Sequence, residues 1–176
     1  MHQPQSVHEN PWFSVTHRED MNTSAGAGWF RVVRPDSAIS IPIDADGNII
    51  FVRGLRDTMG EKSLLELPSG AIDEGETPEQ AAQRETKEET GFLLTDLTPL
   101  GWFVESPGIS GARCHAFTAV AIGRVESSLE PGEEWRVEKH SLLEIRRLIR
   151  DGEIRDGASI ACLALYEAHS EGTRDI

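Results

Sequence analysis

Residues 77–91 spell out a helix with both ends marked. Thr77-Pro78-Glu79-Gln80 supplies a capping hydroxyl, a proline at the first helical position, and a Gln three residues past the cap whose amide can reach back to it. Gly91 supplies the stop, because glycine enters the left-handed conformation that ends a helix without a steric penalty. On either side lie short runs of Ile, Val, Phe and Trp punctuated by turn residues, which read as strands. A stiff, capped helix set into β-prone sequence points to the α+β class, with helices covering a largely antiparallel or mixed sheet.

The rest of the chain fits that reading. Residues 1–10 are polar and are expected to fray. WFSVTH and GWFRVVR read as two strands joined by MNTSAGAG, a β extension over residues 1–36 ahead of a main domain over 37–176. AISIPID and NIIFVRGL bracket Asp46-Gly47, a hairpin signal. SLLELP is a short strand ended by Pro68, and LGWFVES, ARCHAFTAVAIG and EWRVEKH are later strands. The tail predicts helices over 141–150, with Leu142, Ile145 and Ile149 on one face, and over 158–169, with Asp156 as cap.

Seven acidic residues fall between Gly70 and Phe92, and Glu85, Glu88 and Glu89 stand at i, i+3 and i+4 on one face. Two such charges about 6 Å apart repel by roughly 3 kcal/mol at an effective dielectric near 20. Acidic runs are commonly just solvated faces. These three, however, occupy the middle and last turns, where the helix dipole disfavours anions. Hard divalent cations, which take carboxylate, carbonyl and phosphate oxygens, give such a cluster a purpose.

The whole chain agrees. Its 176 residues, 38% of them hydrophobic, suffice for one core. Thirty acidic residues against 17 basic give a net charge of -13, which argues against nucleic acid or an anionic membrane as partner and means that an anionic substrate needs bridging cations. Cys114 and Cys162 lack metal or disulfide spacing and read as free, buried thiols. There is no long apolar run and no signal-like start, so a soluble, cytoplasmic protein is expected.

Gly70, Glu76, Arg84-Glu85, Glu88-Glu89, Gly91 and Phe92 reproduce the spacing of the Nudix box, G-x5-E-x7-R-E-U-x-E-E-x-G-U with U apolar; the one departure is Thr86 at the first U. The Thr86 hydroxyl can bond back to the Ala82 carbonyl, which makes the departure tolerable. The resemblance implies an α/β/α sandwich around a mixed sheet and hydrolysis of a nucleoside diphosphate linked to another moiety. It implies Glu85 and Glu89 as principal ligands of Mg²⁺, with Mn²⁺ as a substitute. It further implies that Glu88 stands nearby, that the Ser69 carbonyl completes the shell, that Arg84 orients the carboxylates, and that Glu76 is an organiser rather than a ligand.

LLELPSG ahead of the box and Pro107, fifteen residues past Phe92, resemble the ADP-ribose pyrophosphatase subgroup, as does LIRDGEIRDGASIACLAL in the carboxyl half. In that subgroup a glutamate on a late loop acts as general base or extra ligand; LEPGEEW offers Glu133 first and Glu134 second. Arg56 matches an arginine that reaches substrate phosphate, although Gly54 stands where glutamine is usual. Arg53 and Arg56 are both candidates, and strand alternation does not choose between them. Where relatives carry an acid after the marker proline, this chain has Gly111 and Ala112, which weakens ADP-ribose as the particular substrate. Trp12, Trp29 and Phe30 can stack on a base or pack in a homodimer of the kind the family forms through this region. The expected function is cleavage of ADP-ribose or a similar nucleoside diphosphate sugar. The alternatives are another Nudix specificity, such as GDP-mannose, a dinucleotide or a nucleoside triphosphate, and a non-catalytic nucleotide sensor.

Overall fold

The computed structural model describes residues 4–18, 28–56, 60, 63–127 and 135–172. Two sheets form. The smaller is antiparallel, ordered β1 (Gln5–Glu9), β2 (Ser14–Arg18), β3 (Trp29–Val33). Residues 5–9, expected to fray, instead pair with β2, Gln5 opposite His17 and Glu9 opposite Ser14. Backbone pairing needs no apolar side chains, and every residue of β1 is exposed.

The larger sheet contains β4 (Ser37–Ile43), β5 (Ile49–Leu55), β6 (Ser63–Glu66), β7 (Ser69–Ala71), β8 (Phe92–Val104), β9 (Arg113–Arg124) and β10 (Arg136–His140). Its order is β10-β5-β4-β9-β8, with β6 beside β5 and β7 beside β4. Only β4 and β9 run parallel, so the sheet is mixed. The Asp46-Gly47 hairpin forms, with Gly47 at positive φ and Asp44 accepting from the Asp46 and Asn48 amides. Beyond the single Ile43–Ile49 pair, β4 and β5 part. Into that wedge go β6 against β5 and β7 against β4. The wedge places the Ser69-Gly70 backbone beside the acidic helix.

That helix is α1 (Pro78–Thr90), with both halves of the capping box made at Thr77 and Gln80 and Gly91 left-handed at its end. α2 (Leu142–Arg150) is capped by Ser141, and α3 (Gly157–Gly172) begins after Asp156, whose carboxylate accepts from the Ser159 amide. Strand alternation sorts β4 between two layers. Ile39 and Ile41 join Phe51, Ile145 of α2 and Leu163 of α3 in the main core, whereas Ala38 packs with Ala81, Ala82 and Phe117 under α1. The result is an α/β/α sandwich. Ser159 Oγ also accepts from the Leu67 amide at 2.8 Å, so α3 pins the turn that enters β7. Cys114 and Cys162 are free and buried in the main core, where burial pushes the Cys114 thiol up to about 11. Among the described residues, no helix is long and apolar enough to cross a membrane.

Thr86, the departure at an apolar position, is fully buried, and the chain matches it from across the interface. Its hydroxyl donates to the Ala82 carbonyl at 2.7 Å. With that proton committed, Ser40 Oγ, 2.7 Å away on β4, donates to Thr86 Oγ1. A hydroxyl pair replaces an apolar contact without leaving an orphan.

Candidate active site

The box residues converge on the guanidinium of Arg84. Its Nε and Nη2 fork onto the two Glu76 oxygens, each at 2.9 Å. Nη1 donates to Glu85 at 2.7 Å and to Glu88 at 3.1 Å, and Nη2 also donates to the Ala71 carbonyl at 2.9 Å. Glu76 in turn accepts from the Asp73 amide at 3.1 Å, which ties the loop before α1 to the helix. The hydrogen bonds that Arg84 donates hold the Glu76 carboxyl below the usual range, and donating to Glu76 and Glu85 pushes the Arg84 pKa up. One cation therefore offsets the repulsion that the sequence builds into α1.

Glu89, only 5% exposed, faces β7, where it accepts from the Ser69 amide at 3.1 Å. Gly70 lies on the same strand, and a Cβ there would displace the Glu85 carboxylate from its position. Ser69, Arg84, Glu85, Glu88 and Glu89 are thus brought together by one helix and one short strand. Among the described residues no three His, Cys, Asp or Glu side chains stand ready-made as a metal cage. Glu85 and Glu88 point at Arg84 instead. The donor set suits a hard divalent cation: carboxylate oxygens with a backbone strand alongside, and no thiol or imidazole.

The two candidate arginines meet different partners. Arg53 pairs with Glu138 of β10 at 2.6 Å and lies 3.9 Å from Glu153. Arg56 forks onto Glu66, with Nη2 at 2.7 Å and Nε at 3.1 Å, and its guanidinium lies 4.7 Å from the centre of the Trp135 ring. Pro107 lies in a turn whose Ile109 carbonyl accepts from the Val32 amide of β3 at 2.8 Å, joining the smaller sheet to this loop. Trp29, on β3, is 66% exposed. Glu133 and Glu134 lie outside the described residues. Trp135 is a further candidate that local sequence barely marks. Its only signal is an aromatic next to the acidic loop, and the pairing with Arg56 joins segments far apart in the chain.

Known proteins resemble this chain in sequence and in fold. The family model for the NUDIX domain matches residues 33–161. The ADP-ribose pyrophosphatase of Bacillus subtilis is 32% identical over 142 residues, covering 78% of this chain and 76% of the relative. The methanol dehydrogenase activator of Bacillus methanolicus is 30% identical over 143 residues, covering 78% and 77%. A crystal structure of an ADP compounds hydrolase superposes with a TM-score of 0.79 at 22% identity, covering 100% of this chain and 98% of that one, which supports the fold. The chain belongs to the Nudix family: it is a Nudix hydrolase, similar to the ADP-ribose pyrophosphatases.

Proposed function

We propose that the enzyme is a divalent-cation-dependent pyrophosphohydrolase that cleaves the diphosphate of ADP-ribose, or of a related nucleoside diphosphate sugar, to a nucleoside monophosphate and a sugar phosphate. The observation that carries this reading is the intact acidic face of α1 braced against Gly70 and Ser69. Similarity to the Bacillus subtilis ADP-ribose pyrophosphatase supports the substrate class.

Glu85, Glu88, Glu89 and the Ser69 carbonyl would hold Mg²⁺, or Mn²⁺ in its place. Such ions neutralise a diphosphate and bring the pKa of a bound water into a usable range. Arg84 offsets the repulsion among these carboxylates, and its fork on Glu76 would hold it in place when Glu85 and Glu88 turn to the ions. Arg56 is the better candidate for substrate phosphate, because although both arginines are paired with carboxylates, its side chain is the more exposed, 38% against 24% for Arg53. Pro107 shapes the turn beside the smaller sheet, and Trp29 offers an exposed ring for a base or for a second copy. Glu133 takes the proton from the attacking water, with Glu134 as its substitute; an undiminished kcat in Glu133→Gln would remove Glu133 from that role.

The reading includes a homodimer built through residues 1–36 and a cytoplasmic location. Supporting the dimer, Trp12, Trp29 and Phe30 of the extension are 75%, 66% and 60% exposed, large apolar rings that a second copy could cover. A second reading, a nucleotide-responsive activator of another enzyme, draws on the similarity to the methanol dehydrogenase activator. The test is incubation with Mg²⁺ and a panel comprising ADP-ribose, GDP-mannose, a dinucleotide and a nucleoside triphosphate, with products identified by mass. A monophosphate and a phosphosugar are expected from ADP-ribose or another nucleoside diphosphate sugar. No product from any member would favour the activator.

A further inference from the structure

Arg56 is gripped from two directions by strands on opposite edges of β5. Glu66 ends β6, whose register sets it opposite Val52, and its buried carboxylate takes the Arg56 fork at 2.7 and 3.1 Å. From the other edge comes β10, where Arg136 pairs with Arg53; Trp135, immediately before it, presents its ring to the guanidinium at 4.7 Å. The two contacts do different things. A carboxylate fixes the fork but also offsets its charge, which works against attraction for a diphosphate. An indole face orients the plane of a guanidinium without consuming an N–H donor and leaves the net charge intact.

The indole's own N–H is buried and has no hydrogen-bond partner among the described residues. Its contact with Arg56 is made through the face of the ring. Trp135 also directly follows the acidic 133–134 pair in sequence. Its grip on Arg56 thus joins the chain that carries the proposed base to the proposed phosphate contact.

We infer that Trp135 is a positioning residue for substrate binding: its ring fixes the orientation in which Arg56 meets the substrate diphosphate. This rests on the reading that Arg56 touches phosphate, so the experiment separates the two claims. kcat and KM are measured with Mg²⁺ on ADP-ribose, or on the panel member that the wild-type enzyme turns over. The proteins compared are wild type, Trp135→Phe, Trp135→Met, Arg56→Gln and the Met/Gln double variant, with circular dichroism confirming each fold.

Trp135→Met, which keeps bulk and loses the π face, raises KM roughly five- to tenfold with kcat within about twofold, the scale of one partly desolvated cation–π contact. Trp135→Phe keeps a face and stays within about threefold of wild type. In the Arg56→Gln background the Met substitution adds less than about twofold, because the group it positions has gone. An unchanged KM in Trp135→Met beside a raised KM in Arg56→Gln overturns the role of Trp135. So does a Met effect that persists in full without Arg56, or a Phe variant as impaired as the Met one. If Arg56→Gln leaves KM unchanged, or no panel member is turned over, the underlying reading fails and the inference falls with it. Trp135→Leu replaces the Met variant if that one does not fold.

Discussion

Glycine at position 70 shows how one missing atom serves the chemistry. A Cβ there would overlap the Glu85 carboxylate, which is the far end of a flexible side chain, so the backbone need not move but the carboxylate must. Gly70→Ala is therefore expected to lower kcat by roughly ten- to a hundredfold, the scale of a displaced charged group in a preorganised site. The melting temperature should fall by no more than about 3 °C, since the clash is relieved by rotamer change. A large loss of stability with full kcat would reverse the assignment. Glu89 is the complementary case. A glutamine can still accept from the Ser69 amide, so Glu89→Gln should preserve the fold while kcat drops by about a hundredfold or more. Steady-state kinetics with a thermal melt checks both variants. These two residues were legible as box positions, but what they touch was not. Sequence spacing reports which side chains share a helix face and is silent about the strand brought against it.

Between elements, β5 and β10 are clasped by the Arg53–Glu138 pair, with His140 Nε2 a further 3.1 Å from the Glu138 carboxylate. Burial works against the charge on Glu138, but bonds from Arg53 and His140 outweigh it, so its carboxyl titrates below the usual range. A depressed carboxyl pKa contributes stability that is fully present above the ordinary glutamate range and is lost as pH falls through the lower, folded value. Glu138→Gln should then melt about 2–4 °C below wild type at pH 7, with the gap closing under acid, below about pH 4. A gap that widens on acidification would contradict the clasp. The same scale shows what local sequence could tell. Helix α1 was readable at both ends because its capping box and its left-handed glycine are made within the segment. The start of β8 escaped notice because Asp96 at positive φ and three register shifts break its alternation. β7, three residues long, exists because β4 and β5 part and leave an edge to be paired. No periodicity in residues 69–71 could announce it.

Across the whole molecule, the features that bear on partners are a net charge of -13 and the exposed rings of Trp29 and Phe30 on the smaller sheet. On the proposed homodimer, Trp29→Ser with Phe30→Ser should shift light scattering from a dimeric to a monomeric mass, and a wild-type monomer at micromolar concentration would refute the dimer. The charge asks for cations. The mixed sheet and its helices were legible from hydrophobic patterning, whereas the splayed strands and the Arg56–Trp135 contact depend on pairing between distant segments. The central claim is that this acidic surface handles an anionic substrate only through divalent ions held on α1. The most direct test is turnover of ADP-ribose or of the active panel member after exhaustive chelation, followed by titration with Mg²⁺. Activity absent from the chelated enzyme and restored saturably by Mg²⁺ is the result expected; full turnover with the chelator still in excess would contradict the account.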